Sequence, residues 1–411
     1  MRTNIPLEEA QNTVLSRVRP GGTEEVPILS ALGRVLAQDV RAREDIPPFD
    51  RSPLDGYAVR AEDLAGATRA TPAALKVIAE VPAGRVSPLP VSPGTAVKIM
   101  TGAPIPPGAN AVVKVEDTDG GGELVRVFSS LRPESNIARA GEDVQMGELV
   151  LEKGMVLRSG AIGMLAAVGV SPVPVYRKPR VAVLCTGEEL VDILAFLSPG
   201  KIRNSNLYGL AAAIMEAGGE PVLMATVPDR LEDIITQLEQ ALEAADLVVT
   251  TGGASVGEYD LMRDAFRLAG AEMLFWRVAM KPGTPALAAE KDGKLLIGLS
   301  GNPAAALIAF EHLVRPAILL MGGRQKWQRP RASGVMAEGF AKGGGPRRFL
   351  RVTAHREGGG YRVDLTGKQS PGVLQSILRC NALVDVPAGS SPLQAGQEVQ
   401  LILLTESEDA E

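Results

Sequence analysis

The fold is decided by an apolar run rich in β-branched residues, Asp246-Leu-Val-Val-Thr-Thr251, and by the glycine loop after it. The run breaks at Gly252-Gly253 and leads through a polar turn into a helix-like segment, 261–268. Two further apolar runs end at Met280 and Leu299, and each again breaks at a loop of glycine and proline. Strand, glycine loop and helix in repetition predict a doubly wound parallel sheet.

The loops after these runs are candidates for ligand binding. In doubly wound sheets, ligands bind outside the carboxyl ends of the strands, which is where these loops would lie. Backbone N–H groups of glycine-rich loops close around anions, and the loop after Met280 adds a cation, Lys281. This part of the sequence therefore predicts a phosphate-binding site.

The length of 411 residues and the changes in composition and hydrophobic pattern along them predict a multidomain protein of α/β plus β class. An amphipathic helix over 6–18 starts a unit that resumes after a region of short strands with Gly/Pro turns. The predicted units are a discontinuous linking or dimerisation domain (1–46 and 144–177), a β-rich insert domain (47–143), a doubly wound domain (178–326) and a C-terminal β-barrel or sandwich (327–411).

Cysteine and histidine usage limits the chemistry. The two cysteines, Cys185 and Cys380, are far apart and form no CxxC motif, which argues against zinc, Fe–S and redox-dithiol sites. The two histidines, His312 and His355, do not stand beside a candidate nucleophile, which argues against Ser-His and Cys-His catalysis. Catalysis would then rest on carboxylates, lysines, backbone dipoles and a bound metal.

The charge and hydropathy patterns indicate a soluble, cytoplasmic protein. The net charge of −5 argues against a basic surface that binds nucleic acid. The N-terminus lacks the apolar region of a signal peptide, and no apolar stretch approaches the ~20 residues needed to span a bilayer. We therefore expect neither a nucleic-acid partner nor a membrane.

Several carboxylates fall in Gly- or Pro-rich turns beside predicted strand ends: Asp55, Asp143, Glu188, Glu189, Asp229 and Asp260. Turns favour acidic residues for local hydrogen bonding, which explains any one of these residues more simply than catalysis does. Several carboxylates at one sheet edge, beside phosphate-binding backbone, favour Mg²⁺, which takes oxygen ligands. The residues thus indicate an enzyme that binds a phosphorylated ligand and Mg²⁺.

Other polar groups also have simple alternatives. Lys281 stands before Pro-Gly, where it either projects over the loop or is a solvated turn residue. Thr101 and Ser255 either donate to an oxyanion or cap a turn, and Gly252-Gly253 and Gly301-Asn302 are either anion nests or tight turns. The sequence has no GxxxxGK[ST] motif, which argues against a P-loop nucleotidase.

Taken together, the motifs resemble the molybdopterin molybdenumtransferases, the family of bacterial MoeA and the E domain of gephyrin. They follow the order of that family over residues 6–400. The matching stretches are Pro48-Phe-Asp-Arg-Ser-Pro-Leu-Asp-Gly-Tyr-Ala58, Ile99-Met-Thr-Gly-Ala-Pro104, Gly141-Glu-Asp-Val144, Thr186-Gly-Glu-Glu-Leu190, Asn204-Ser-Asn206, Thr251-Gly-Gly-Ala-Ser-Val-Gly-Glu-Tyr-Asp260, Met280-Lys-Pro-Gly283 and Gly301-Asn-Pro303.

This resemblance implies an activity and an assembly. The substrates would be adenylylated molybdopterin and molybdate, and Mg²⁺-dependent cleavage would release AMP as molybdenum is inserted at the dithiolene. The doubly wound domain would bind molybdopterin in an elongated homodimer, with a cleft between that domain of one subunit and the insert of the other. The implied partners are an upstream molybdopterin adenylyltransferase and downstream molybdoenzymes or cofactor carriers.

By the same resemblance, the site residues fall into three groups. The residues implied in catalysis are Asp55, Asp143, Glu189, Asp229, Asp260 and Lys281. Those implied in binding cofactor or substrate are Thr101, Thr186, Gly187, Gly252, Gly253, Ser255, Gly257, Pro282, Gly283, Gly301, Asn302, Pro303 and Ser370. The implied Mg²⁺ ligands are Glu189, Asp229 and Asp260.

The chain departs from the family pattern at three positions, none of which removes a carboxylate. Ser300 stands where proline is usual, Arg277 where some members have lysine, and Cys185 where serine is usual. Alternative functions are a tungstate-specific member, a non-catalytic scaffold and a molybdopterin adenylyltransferase. The last usually has Gly-Gly-Thr-Gly after the strand, whereas this chain has Gly253-Ala-Ser-Val-Gly257.

Overall fold

The computed structural model describes residues 2–252 and 261–405. Within these ranges the chain forms three larger sheets, of seven, six and five strands, and three two-stranded ones. The predicted class, a multidomain α/β plus β protein with a doubly wound sheet, a β-rich insert and a C-terminal β unit, is confirmed. The predicted limits of the domains stay a prediction.

The N-terminal residues pack on the largest sheet, whereas the sequence pattern predicted them in the linking domain. The first elements are β1 (Arg2–Ile5), α1 (Leu7–Leu15), β2 (Thr23–Val26), a 3₁₀ turn (Ile28–Ala31) and β3 (Val40–Arg41). Helical spacing puts Leu7, Ala10 and Val14 on one face of α1, and all three are buried in the same apolar cluster as Val181 of the large sheet. A predicted helix is therefore observed, in an unexpected place.

The insert is a five-stranded sheet covered by apolar side chains on both faces. Its elements are β4 (Gly56–Val59), a 3₁₀ turn (Ala61–Leu64), β5 (Ala73–Val81), β6 (Thr95–Ile99), β7 (Ala111–Lys114), a 3₁₀ turn (Val115–Asp117) and β8 (Leu124–Val127), in the spatial order β7-β4-β6-β5-β8. The two-residue period of β4 puts Tyr57 and Val59 in one apolar cluster and Ala58 in another.

The segments on either side of the insert share one apolar core. After the insert come β9 (Leu149–Leu151), α2 (Ser159–Ala167) and β10 (Val173–Tyr176). β9 pairs with β3 and β10 pairs with β2, both antiparallel. Leu36 from before the insert and Leu157 and Leu165 from after it are fully buried in the same cluster. The chain thus leaves this unit, forms the insert and returns.

The largest sheet carries the predicted doubly wound pattern. Its region contains β11 (Arg180–Cys185), β12 (Leu190–Val191), β13 (Ile202–Arg203), α3 (Ser205–Glu216), β14 (Glu220–Leu223), α4 (Leu231–Ala244), β15 (Leu247–Thr251), α5 (Leu261–Leu268), β16 (Glu272–Val278), β17 (Met280–Lys281), β18 (Leu287–Lys291), β19 (Lys294–Leu299), α6 (Pro303–Ala309) and α7 (Arg315–Met321). The strand order is β1-β16-β18-β19-β15-β11-β14.

Four neighbouring strands of this sheet, β14, β11, β15 and β19, are parallel. β18 runs antiparallel to both of its neighbours, which makes the sheet mixed rather than wholly parallel. The sequence pattern did not predict β18, which forms a hairpin with β19 across Asp292 and Gly293, both at positive φ (51° and 76°). Asp-Gly is a favourable dipeptide for such a turn.

One helical stretch, 303–321, consists of α6, a π-helical turn (Phe310–Val314) and α7. Among the described residues it alone is long and apolar enough to cross a membrane, by length and composition only. This corrects the expectation that no apolar stretch approaches that length. Most of the helix is buried inside the protein against the large sheet, where Ala306, Leu313 and Ile318 lie in the main core. Its apolar character is that of a core helix.

The C-terminal unit is a closed barrel joined to the large sheet region by a short strand pair. Its elements are β20 (Arg331–Met336), β21 (Arg347–Glu357), β22 (Gly360–Leu365), α8 (Gln375–Leu378), β23 (Ala382–Val386) and β24 (Glu398–Leu403). The order β21-β22-β20-β24-β23 closes on itself because β23 also pairs with β21. β17 adds to this sheet in parallel with β21. We call the junction of β17 and β21 the seam.

Candidate active site

Three strands of the large sheet end together at one edge. Cys185 at the end of β11 is level with Thr251 at the end of β15, and Thr251 is level with Leu299 at the end of β19. The loops after these strands, beginning at Thr186, Gly252 and Ser300, therefore leave the sheet side by side. We call this edge the rim. The sequence predicted that these loops meet, and they do.

A side chain from α3 ties two of these loops together. Asn206 donates from Nδ2 to Thr251 Oγ1 (2.9 Å) and to the carbonyl of Gly301 (2.8 Å). Thr251 Oγ1 donates in turn to the carbonyl of Ser300 (2.8 Å). α3 is itself fixed at its start, where the side chain of Asn204 accepts from the Leu207 N–H (3.1 Å). Asn206 belongs to one of the family motifs, but the sequence alone gave it no role.

Gly252 allows the loops to approach each other closely. Its φ is +94°, and a Cβ placed there would lie 2.0 Å from the carbonyl oxygen of Thr186. The neighbouring Gly301 is less constrained, since its added Cβ would lie 3.5 Å from the Gly252 Cα, an ordinary contact. Position 252 therefore requires glycine both for its conformation and for space.

Carboxylates gather at the β11 and β14 side of the rim. The pKa of Asp229 is raised, first by partial burial and then by the negative charges of Glu189 and Glu188. The hydroxyl of Thr186 offsets part of this rise. Because the ionised forms repel one another, a cation at this place would relieve the repulsion, and oxygen donors suit Mg²⁺.

Part of the predicted site lies outside the described residues. These positions are Gly253, Ser255, Gly257 and Asp260. Glu189 and Asp229 are thus the two predicted metal ligands that the structure describes, and they interact electrostatically. No group of three or more ligating side chains converges within 2–252 and 261–405. The assignment of all three metal ligands stays a prediction.

On the other side of the rim, a cavity of about 340 Å³ lies between the large sheet and the barrel. Of the predicted residues it is lined by Lys281, Pro282, Gly283, Asn302 and Ser370. Gly283 has a φ of +105°, and an added Cβ would lie 3.2 Å from the Cβ of Ala309 in α6. Pro303 is the first residue of α6, where its missing N–H has no cost.

The barrel supplies a buried cation that sequence reasoning missed. Arg351 is fully buried, and burial lowers its pKa. Its Nη2 donates to the carbonyl of Ser370 (3.1 Å), and its Nε donates to Ser376 Oγ (2.6 Å). Arg351 therefore holds the loop that presents Ser370 to the cavity. A lone arginine in a strand gave no signal in the sequence.

Three predicted residues belong to the insert, and all three are exposed: Asp55, Thr101 and Asp143. Thr101 donates from both its N–H and its hydroxyl to Asp55 Oδ1, each at 2.7 Å. These bonds, the backbone one first, lower the pKa of Asp55. None of the three residues lines the cavity at the barrel, as far as the described part of the chain shows.

The sequence matches three family models that together cover most of the chain. They are "MoeA N-terminal region (domain I and II)" over residues 5–169, "Probable molybdopterin binding domain" over 182–319, and "MoeA C-terminal region (domain IV)" over 333–404. The chain belongs to the MoeA family.

Full-length relatives and solved structures support this membership of the MoeA family. Proteins named molybdopterin molybdenumtransferase from Bacillus subtilis (strain 168) and Staphylococcus aureus (strain Mu50) are 38% and 40% identical. Each match covers 100% of this chain, and 96% and 98% of the relative. Two crystal structures of molybdopterin biosynthesis MoeA protein from Pyrococcus horikoshii, 35% and 34% identical, cover 97% and 98% of this chain and 99% of the other, with TM-scores of 0.81 and 0.86.

The predicted family and the prediction of a transferase in molybdenum cofactor biosynthesis are thereby confirmed. The roles of individual MoeA-type site residues stay predictions. The geometry divides them into an acidic side of the rim, a cationic cavity at the barrel, and an exposed group on the insert.

A glycine-to-alanine pair tests the close approach at the rim. Gly252→Ala should lower the thermal midpoint of unfolding by at least about 6 °C, since backbone strain and the clash with Thr186 add together. Gly200→Ala is the matched control, because Gly200 has a φ of +80° and nothing within 4 Å of an added Cβ. Gly200→Ala should lower the thermal midpoint by only about 2–4 °C, because backbone strain is the only effect there. Equal losses in the two variants would contradict the packing argument.

Titration tests the acidic side of the rim. By NMR of the metal-free protein, the pKa of Asp229 should lie above its ordinary value of 3.8 and should fall in Glu189→Gln, which removes a negative charge. Glu239→Gln, on the exposed surface of α4, should leave it unchanged.

The same shift has a consequence for stability. Because folding raises this pKa, ionised Asp229 disfavours the folded state at neutral pH, and the cost disappears as pH falls through the folded-state pKa. Asp229→Asn should therefore raise the thermal midpoint at pH 7 but not below pH 3.8. A lower midpoint at pH 7 would contradict the argument.

Proposed function

We propose that this chain inserts molybdate into adenylylated molybdopterin, with Mg²⁺-dependent release of AMP. The observation that carries the proposal is the placement of interacting carboxylates and a cationic cavity at the two sides of one rim. Glu189 and Asp229 lie at one side, Lys281 lies at the other, and the loop with Ser300 runs beside the cavity. Such a division of charge suits the two proposed substrates. The phosphate of adenylylated molybdopterin would be bound through a metal at the acidic side, and the molybdate oxyanion would be bound by the cationic side.

At the acidic side, carboxylate oxygens are the donors that a hard divalent cation prefers, which supports a metal there. We assign Glu189, Asp229 and Asp260 to hold Mg²⁺, which when bound neutralises charge that develops on the phosphate oxygens. The backbone around Gly252 and Gly301 and the side chain of Asn302 would orient the phosphate and the pterin end. The support for this role is that Asn206 ties Thr251 to the carbonyl of Gly301, which favours orientation of the two loops before substrate arrives.

At the cationic side, we assign the cavity to molybdate. Lys281 would attract the dianion, and the hydroxyls of Ser300 and Ser370 line the same space and can donate to its oxygens. Tungstate has the same charge and shape, so the cavity would accept it by the same contacts. The choice between the two metals is therefore an outcome of the assay and not a separate function.

We further propose a homodimer in which the insert of one subunit completes the site of the other. The support is that Asp55, Thr101 and Asp143 are exposed on the insert while the rim lies on the large sheet. An upstream adenylyltransferase would supply the substrate, and downstream molybdoenzymes or carriers would take the product. We assign the reaction to the cytoplasm.

The activity is tested with adenylylated molybdopterin and molybdate. Lys281→Ala and Asp260→Asn should fold normally and lose AMP release by about 100-fold or more, because each removes one preorganised charge. Lys326→Ala, an exposed lysine away from the cavity, is the control and should keep full activity. Near-normal release in both variants would overturn the site assignment. Turnover of ATP with molybdopterin would instead favour an adenylyltransferase, and absence of any turnover a scaffold.

Mixed dimers test whether the site is shared. Asp55→Asn and Lys281→Ala chains are each inactive by the proposal. In a heterodimer, one of the two sites then carries both changes and the other carries neither. Random mixing should therefore restore about a quarter of wild-type AMP release, since half of the dimers have one intact site. A site formed within one chain would give no recovery, because every chain carries a defect.

A further inference from the structure

Two guanidinium groups lie over one indole ring of the large sheet. The Cζ atom of Arg277 lies 4.3 Å from the centroid of the Trp276 ring, and the Cζ atom of Arg263 lies 5.0 Å from it. The face of an aromatic ring attracts a cation, and tryptophan does so more strongly than the other aromatic side chains. Trp276 therefore holds two like charges, one from β16 and one from α5. We call Arg263, Trp276 and Arg277 the arginine stack.

An irregularity in β16 brings Arg277 onto the ring. Arg277 has a φ of +70°, which is uncommon for a residue other than glycine. In a regular strand, Trp276 and Val278 would point to the same face of the sheet. Instead, Trp276 packs in the apolar cluster of α4 and α5, and Val278 packs in the cluster of α1 and α6. The backbone at Arg277 thus brings two consecutive side chains together, and strained backbone of this kind is typical of functional sites.

The arginine stack lies at the level of the rim, on the opposite face of the sheet from α6 and the seam. β16 is antiparallel to β18, β18 is antiparallel to β19, and β19 is parallel to β15. β16 therefore ends at the same edge as β15, and Trp276 and Arg277 are among its last three residues. Arg263 is in the first turn of α5, three residues after Asp260, a predicted metal ligand outside the described residues.

Packing alone does not explain the arginine stack. One cation over the ring would give the aromatic contact, whereas a second like charge adds repulsion. Asp264 accepts from Nε of Arg263 (3.2 Å), which offsets part of the charge of that residue. In the described part of the chain, the three residues of the stack do not line the cavity at the barrel. The stack is therefore a second cationic place at the rim, suited to an anion of its own.

We propose that Trp276 is a positioning residue that holds Arg263 and Arg277 toward the phosphate of the adenylylated substrate and of the AMP product. This inference rests on the proposed function, because it takes an adenylate to be cleaved at the rim. A guanidinium offers a planar pair of donors that matches phosphate oxygens. The indole ring fixes the direction of these donors, so less side-chain freedom is lost when the phosphate binds.

The same contact gives a reason for arginine at position 277, where some members of the family have lysine. The planar guanidinium stacks on an aromatic face, whereas an ammonium is a strongly hydrated point charge. Trp276 therefore favours arginine at the neighbouring position. In this interpretation, Trp276 and Arg277 act as a pair, and changing either residue should weaken the binding of the same phosphate.

The primary test is the binding of AMP, with Mg²⁺ present, to the full-length protein by isothermal titration calorimetry. Trp276→Leu removes the aromatic ring but keeps an apolar side chain, and Arg277→Gln removes the charge. Each should weaken AMP binding by about ten-fold, since a contact of a charged group is lost. Trp276→Phe keeps a ring and should retain most of the affinity. Arg267→Gln is the matched control, an exposed arginine on the same helix as Arg263, and should bind AMP as the wild type does.

Kinetics separate positioning from a general structural role. In AMP release, Trp276→Leu and Arg277→Gln should raise the KM for adenylylated molybdopterin and leave the KM for molybdate unchanged, because molybdate is assigned to the other face of the sheet. Arg263→Gln should raise the first KM less, since Asp264 already offsets part of its charge. Trp276→Phe and Arg277→Gln decide the matter if Trp276→Leu does not fold. Wild-type AMP affinity in a folded Trp276→Leu, or in Arg277→Gln, would overturn the proposal.

The outcomes distinguish this inference from the proposed function. If AMP binding depends on the arginine stack but no protein releases AMP from adenylylated molybdopterin, the stack is a phosphate site and the proposed reaction fails. If the wild type releases AMP while Trp276→Leu and Arg277→Gln keep the KM for the adenylylated substrate, the reaction stands and the inference is wrong. Failure of the wild type to bind AMP would overturn the inference, whatever the result of the activity assay.

Discussion

The candidate site depends on the hydrogen bonds that Asn206 makes across two loops. A single amide joins the end of β15 to the carbonyl of Gly301, and Thr251 extends the link to Ser300. Backbone groups can bind an anion only if they are already oriented, because orienting them at the moment of binding costs conformational entropy. The sheet sets the positions of the strand ends, and these side-chain bonds set the directions of the loops.

Charge is divided along this edge in a way that reflects the topology. The carboxylates come after β11 and β14 at one end of the strand order, and the cations come after β16 and enter from the barrel. By the proposed function, each set would take its own ligand. The pKa of Asp229 is raised first by its partial burial and then by the nearby negative charges of Glu189 and Glu188.

Local patterns in the sequence were sufficient to predict the rim, since parallel strands that are each followed by a glycine loop end at a common edge of the sheet. They also pointed to Lys281 and, with the family resemblance, to Ser370, and both residues line the cavity at the barrel. They could not predict the buried position of Arg351 or the contact of Lys281 with Arg348, because both depend on residues that are distant in the sequence. The pairing of residue 281 with residue 348 is a tertiary contact without a local signature. The edge strand β1 was missed for the same reason, whereas β18 forms a hairpin with β19 across Asp292-Gly293, a local turn signal that the sequence analysis did not use.

The position of β1 has a consequence for how the chain reaches this structure. Arg2 pairs with Phe275, so the outermost strand of the large sheet is synthesised long before its neighbour and meets it only after the insert and most of the sheet have emerged. Contacts of such long sequence separation form late and slow folding. Until then the apolar face of α1 has no core to cover it, and the nascent chain exposes a short amphipathic segment. β1 is thus synthesised early but pairs with its neighbouring strand late.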